Sequence, residues 1–168
     1  MILIVNTTEN KEITSRISEE LKSKNITFEI METADKKIGH CIGCNYCWLK
    51  TPGICSVKDD YEEILKKLVN SDQLWVISNT ALGFIDHKGK NIIDRIIPLA
   101  TMHLYFKKKQ MRHVLRYKKH TDVGFVYIGE ADREYLNKWS ERVAVNFGSK
   151  SLGAFPKEDW KEAAACMY

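Results

Sequence analysis

Apolar residues along the chain gather in short runs that alternate with longer amphipathic stretches. Ile2–Val5 is an apolar run ending at Asn6, the pattern of a buried strand. Thr14 or Ser15 can cap the helix that follows, with Ile13, Ile17 and Leu21 on one face and Asn25 at its end. Ile26–Met31 alternates as a second strand. Asp59 or Asp60 caps a helix running to about Asn70, with Ile64, Leu65, Leu68 and Val69 apolar. Gln73–Ser78 predicts a third strand, followed by a loop, "NTALGF". A helix is expected over Lys88–Ile97, a strand over Val123–Ile128 and an amphipathic helix over Arg133–Asn146. "SLGAF" reads as a short fifth strand, and Lys157–Ala165 as the closing helix.

Strands alternating with helices predict a parallel sheet covered on both faces. The fold class is therefore α/β: a flavodoxin-like, doubly wound parallel sheet in three α/β/α layers. The 168 residues, 44% hydrophobic, suit a single domain with one sizeable core. No internal repeat divides them. In such sheets ligands sit beyond the carboxyl ends of the strands. This directs attention to the loops at Asn6–Thr14, Asn79–Asp86 and Gly129–Asp132.

Between the second strand and the next helix lies "HCIGCNYCWLKTPGICSVKDD", a loop insertion over about residues 39–58. It carries four of the five cysteines: Cys41, Cys44, Cys47 and Cys55. The opening "MILIVN" lacks a basic leader and no span long enough for a membrane is visible, so a cytoplasmic protein is expected. Thiols stay reduced there, which favours metal or redox roles over structural disulfides. Three closely spaced thiolates and a fourth can wrap an iron–sulfur cubane. Zinc, a reversible disulfide and simply packed thiols are the other readings.

The charge balance, 26 basic against 22 acidic side chains, leaves +4. Lys107–Lys119 holds seven Lys or Arg and no acid, with Tyr105, Phe106 and Tyr117 around it. No nucleic-acid motif accompanies it, so it reads as a solvated connection or a surface facing an acidic patch on another subunit. Neither nucleic acid nor membrane is expected as a partner. His40 reads as a solvated loop histidine. Asp59-Asp60 reads as a cap rather than an acid–base pair.

The cysteine stretch, followed by "EILKKLVNSDQLWVIS" and "KNIIDRIIPL", resembles the flavodoxin-like NAD(P)H-dependent FMN reductases, including the iron–sulfur flavoproteins. "RYKKHTDVGFVYIG" and "RVAVNF" resemble the later part of one branch. The first loop of that family is usually Gly-Ser-Pro-Arg; here it is "NTTENKEIT". The loop after the third strand usually holds Pro-Val-Tyr and a glycine; here only Gly83 matches.

The resemblance implies an oxidoreductase that binds FMN without a covalent bond. NAD(P)H is the implied reductant, and a quinone, a flavin or another small molecule the electron acceptor. Thr7, Thr8, Lys11, Thr14 and Ser15 would serve the phosphate. Asn79, Thr80, Ala81, Leu82, Gly83 and Phe84 would border the ring, with Leu82, Phe84 or Trp48 replacing the absent aromatic. Cys41, Cys44, Cys47 and Cys55 would hold a 4Fe-4S cluster if one is present. Arg95 with Asp94 matches the family's Asp-Arg pair, and an ion pair fixing that helix explains it equally well. A homodimer is implied, because such sites form between subunits. The altered loops leave a non-catalytic binding module as a rival reading.

Overall fold

The computed structural model describes residues 1–168. Five strands form one parallel sheet: β1 (Ile2–Asn6), β2 (Phe28–Glu32), β3 (Gln73–Ala81), β7 (Asp122–Ile128) and β8 (Ser151–Pro156). Their spatial order is β2-β1-β3-β7-β8, the flavodoxin-like order. Helices α3 (Tyr61–Leu68), α4 (His87–Asp94) and α5 (Arg133–Asn146) cover one face; α1 (Lys11–Ser23) and α6 (Trp160–Ala165) cover the other.

The central strands are apolar at successive positions because both faces are covered. Leu3, Val5, Leu74, Val76 and Phe125 point into the core under α3–α5. Ile2, Ile4, Trp75, Ile77 and Val126 point into the core under α1 and α6. Full burial of each such side chain contributes about 1.5–3 kcal/mol. Trp75 lies opposite Gly124 on β7, and its indole N–H donates to Gln73 at 3.0 Å. A Cβ on Gly124 would stand 2.6 Å from the indole.

Several elements differ from the sequence reading. The cap of α1 is Asn10, whose side chain accepts from the N–H groups of Glu12 and Ile13. Thr14 and Ser15 lie inside the helix, and Ser15 donates to the Lys11 carbonyl. The helix expected over Lys88–Ile97 starts at His87 and ends at Asp94. Pro98 disfavours a helical Ile97, and a 3-10 turn runs over Ile97–Leu99. "NTALGF" is not an open loop. Strand β3 continues to Ala81 and turns back through Leu82-Gly83 into β4 (Phe84–Ile85). The basic stretch is an antiparallel ribbon, β5 (Ala100–Lys107) and β6 (Gln110–Leu115), standing apart from the main sheet. A short helix, α2 (Tyr46–Leu49), interrupts the cysteine loop.

Because the indole occupies the space Gly124 leaves, Gly124→Ala should lower unfolding stability by about 1–3 kcal/mol through overpacking. Urea titration followed by circular dichroism measures this; an unchanged midpoint would show that Trp75 moves aside freely.

Candidate functional site

Parallel strands end at one edge of the sheet, and the loops leaving that edge carry the candidate chemistry. The cysteine loop departs from β2 and returns at α3. Both ends are fastened together. Lys37 N–H donates to the Asp60 carboxylate at 2.7 Å, and Asp60 N–H to the Lys37 carbonyl at 3.1 Å. Gly39 N–H donates to Asp59 Oδ2 at 2.8 Å, and Tyr61 N–H to Asp59 Oδ1 at 3.2 Å. Asp60 holds the N-cap position without a side-chain cap bond, and Asp59 before it takes the first helical N–H and does more.

Its further partner is Arg95, at the end of α4. This guanidinium is 1% exposed and sits 2.5 Å from Asp59. It also donates to the carbonyls of Gly39 (3.3 Å) and Val57 (3.2 Å) and reaches Cys55 Sγ at 3.4 Å. Its Nε is buried with no partner. The charge lies 4.5 Å over the ring of buried Tyr61, whose hydroxyl donates to the Ile92 carbonyl. Asp94 pairs with Lys90 instead, so the sequence-adjacent Asp94-Arg95 pair is not the ion pair that forms. Burial alone would push the Asp59 carboxyl up. Hydrogen bonds from Arg95 and the Gly39 N–H outweigh that and hold it below the usual range.

Cys41, Cys44, Cys47 and Cys55 all line one small hollow, with Gly43 and Ile97. All are free thiols, as is Cys166, which packs at the α6 end against the other core. Cys47 is buried; burial pushes its thiol up, and nearness to Cys55, Cys41 and Cys44 pushes it further. Cys44 lies 3.0 Å from the Ser56 hydroxyl, a contact that, with the Tyr46 N–H, draws its thiol down. Three left-handed residues, Gly43, Asn45 and Gly53, bend the chain around the hollow. No three His, Cys, Asp or Glu side chains group as ligands of one metal ion. A cubane binds each thiolate at a separate iron, so its ligands stand further apart than those of a single ion. As folded the hollow is only about 20 Å³, room for about one water, so the loop would have to open to seat a cluster among the four cysteines. His40 is exposed and takes no part in the hollow.

The β1–α1 loop is built differently. Thr7 Oγ1 donates to the Ile77 carbonyl at 3.0 Å, and Thr8 Oγ1 to Asn6 Oδ1 at 2.8 Å. Thr14 Oγ1 lies 2.8 Å from Glu32 Oε1, while Asn6 Nδ2 donates to Glu32 Oε2 at 2.7 Å. Ser15 bonds the Lys11 carbonyl. The N–H groups of Thr7, Thr8, Asn10, Glu12 and Ile13 all have partners within the protein. Lys11 is exposed beside an open hollow whose lining also includes Glu9, Glu32 and Asp35. As folded, most of this loop's hydroxyl and N–H donors are engaged within the protein, and its flank carries Lys11 and Lys36 beside the three carboxylates.

Next to it, Asn79, Ala81, Leu82 and Gly83 are exposed on the β3–β4 turn. Thr80 Oγ1 donates to the Ile128 carbonyl, and the Gly83 carbonyl accepts from Asp132 N–H. Leu82 is fully exposed at φ 53°, an unusual backbone state for a leucine. Phe84 is turned into α5, 4.9 Å from Trp139 and 5.8 Å from Tyr135. Trp48 is turned to the ribbon: its ring is 4.5 Å from His113 and its N–H donates to Ile97. Of the three side chains expected near a flavin ring, only Leu82 is free to face one. Sequence reasoning passed over Asn10 and Glu32, which close the first loop. Glu32 ends an alternating strand and gave no signal; an Asn three residues before Ile13 is a cap signal available in the sequence.

No family model matches the chain. An iron-sulfur flavoprotein of Methanocaldococcus jannaschii is 37% identical over 79 residues, 47% of this chain and 40% of that protein. An iron-sulfur flavoprotein of Archaeoglobus fulgidus is 36% identical over 98 residues, 56% of this chain and 47% of that protein. The match thus spans less than half the length of either relative. Among solved structures, an NAD(P)H:quinone oxidoreductase from Methanothermobacter marburgensis superposes with TM-score 0.63 at 11% identity, covering 97% of this chain and 94% of that one. The chain is thus similar in sequence to iron-sulfur flavoproteins over about half of its length, and it has the flavodoxin-like fold over nearly all of it.

Two outcomes follow from this geometry. Arg95→Leu takes the cation from a partly buried carboxylate that keeps two backbone N–H donors and should cost about 1.5–3 kcal/mol, with proteolysis of residues 41–55 rising before global unfolding. Asp59 contributes fully above about pH 4 and loses its contribution as pH falls through its depressed value. Loop protection should therefore be flat at neutral pH and fall only in acid; loss near pH 6–7 would contradict the pairing. Second, FMN and riboflavin should bind within about threefold of each other, under 1 kcal/mol, and Thr8→Ala should change neither. Calorimetry giving FMN a tenfold advantage would show that the loop opens for phosphate.

Proposed function

We propose that the chain is a flavin-dependent oxidoreductase whose four-cysteine loop carries a 4Fe-4S cluster. The observation that carries this reading is the set of four thiols on one hollow, pinned to the core by buried Arg95. The names of the curated relatives support it. FMN is the flavin the resemblance points to, with NAD(P)H as reductant and a small molecule as acceptor. When bound, the flavin would exchange electron pairs and the cluster single electrons.

The chain's own residues have definable tasks. Arg95 places a positive charge against Cys55 and offsets the negative charge that four thiolates bring together. Burial of Cys47 keeps water from the inner side of the hollow. The exposed turn Asn79–Gly83 would border the ring, and Leu82 offers it an apolar surface. The closed β1–α1 loop favours a second reading, a binding module without flavin.

A second copy of the chain is the partner proposed here. The ribbon exposes Met102, Leu104, Phe106 and Met111, with Phe106 72% exposed. Such an apolar patch on a solvent-facing ribbon marks an interaction surface, and two-fold pairing of identical patches is the commonest way to cover one.

Three measurements test the proposal. Anaerobic reconstitution should give about four irons per chain, and each of Cys41→Ser, Cys44→Ser, Cys47→Ser and Cys55→Ser should remove most of it. Iron below about one per chain in the wild type would leave the thiols as packing groups. Flavin titration of the same samples separates the two readings, since a binding module takes up none. Phe106→Glu should convert a dimer to a monomer by light scattering, and a monomeric wild type would overturn the partner assignment.

A further inference from the structure

Beneath the ribbon lies a cavity of about 380 Å³, bounded by α2, α4, α5 and β6. It is separate from the β3–β4 edge where the flavin reading places the ring, and an inference from it stands without that reading. Its walls are mostly apolar: Trp48, Ile93, Trp139, Val143 and Phe147 contribute much of the lining. Cavities of about 300–1,000 Å³ with apolar walls and a few convergent polar groups are the usual form of small-molecule sites.

The polar groups are few and their state is defined. Arg112 lines the cavity, its Nη2 donates to Gln110 at 3.2 Å, and its Nε is buried with no partner. An unpartnered guanidinium N–H in such a place lacks an acceptor. His113 Nδ1 lies 2.8 Å from the Thr101 carbonyl, which can only accept, so this nitrogen carries the proton. Asp94 also lines the wall, but its carboxylate is paired with Lys90. Asn146 adds an amide. The guanidinium of Arg112 is thus the unmatched charge among the lining groups.

We infer that this cavity binds a planar aromatic monocarboxylate. The ring would lie among Trp48, Trp139 and Phe147, and the carboxylate would accept from the guanidinium of Arg112. Carboxylate matches the planar fork of guanidinium and completes the charge balance, which a neutral ring or a cation does not.

Calorimetry with naphthoate and its neutral counterpart naphthalenemethanol tests this on the full chain. The wild type should bind naphthoate with a dissociation constant of about 10–500 µM. Arg112→Leu, on the half-exposed ribbon, should weaken naphthoate about tenfold or more while changing the neutral probe less than about threefold. Val143→Trp, which fills the cavity, should abolish binding of both. No naphthoate binding at about 1 mM, or equal weakening of both probes by Arg112→Leu, would overturn the assignment. Retained binding in a folded Val143→Trp protein would place the probe elsewhere and overturn it too. If Val143→Trp does not fold, the Arg112→Leu comparison decides alone.

Discussion

The ion pair between Asp59 and Arg95 is the interaction on which the cysteine loop depends. One guanidinium at the end of α4 holds the carboxylate that closes the loop, two carbonyls within it and a cysteine sulfur. A buried ion pair contributes little over a well-packed apolar pair, yet losing one partner is costly because the other charge stays buried. Such a pair is better at fixing one arrangement than at adding stability. Here the arrangement is the position of four thiols. Gly39 and Asp59 are drawn together beside Arg95, and everything between them must loop outward around the hollow.

The two halves of the sheet's carboxyl edge hold different side chains. The cysteine side has a buried cation against Cys55. The β1–α1 side has Glu32 bonded to both Asn6 and Thr14, with Glu9, Asp35, Lys11 and Lys36 beside it. On the cysteine side, burial and the neighbouring cysteines hold Cys47 in its thiol form, while the Ser56 hydroxyl draws Cys44 the other way.

What the sequence made legible follows from what burial imposes. The central strands could be read because both their faces are covered, which leaves an apolar run in β1, β3 and β7. The ribbon could not, because β5 faces solvent along most of its length and no buried face imposes alternation. The cysteine spacing was plain, but its anchor was not. Arg95 has an aspartate next to it in sequence and bonds another one 36 positions away. Hydroxyls in the first loop looked like phosphate donors because their type was visible and their partners were not. Glu32 and Asn6 come to that loop from the neighbouring strand ends, a proximity that only the sheet register creates.

The central claim is that the pinned thiols form a cluster site on a flavodoxin-like frame. The visible absorption spectrum of freshly purified, anaerobically handled protein tests it most directly. The account predicts flavin bands above a broad cluster absorption that a chemical reductant bleaches. A colourless protein that stays colourless after reconstitution with iron, sulfide and FMN would contradict it.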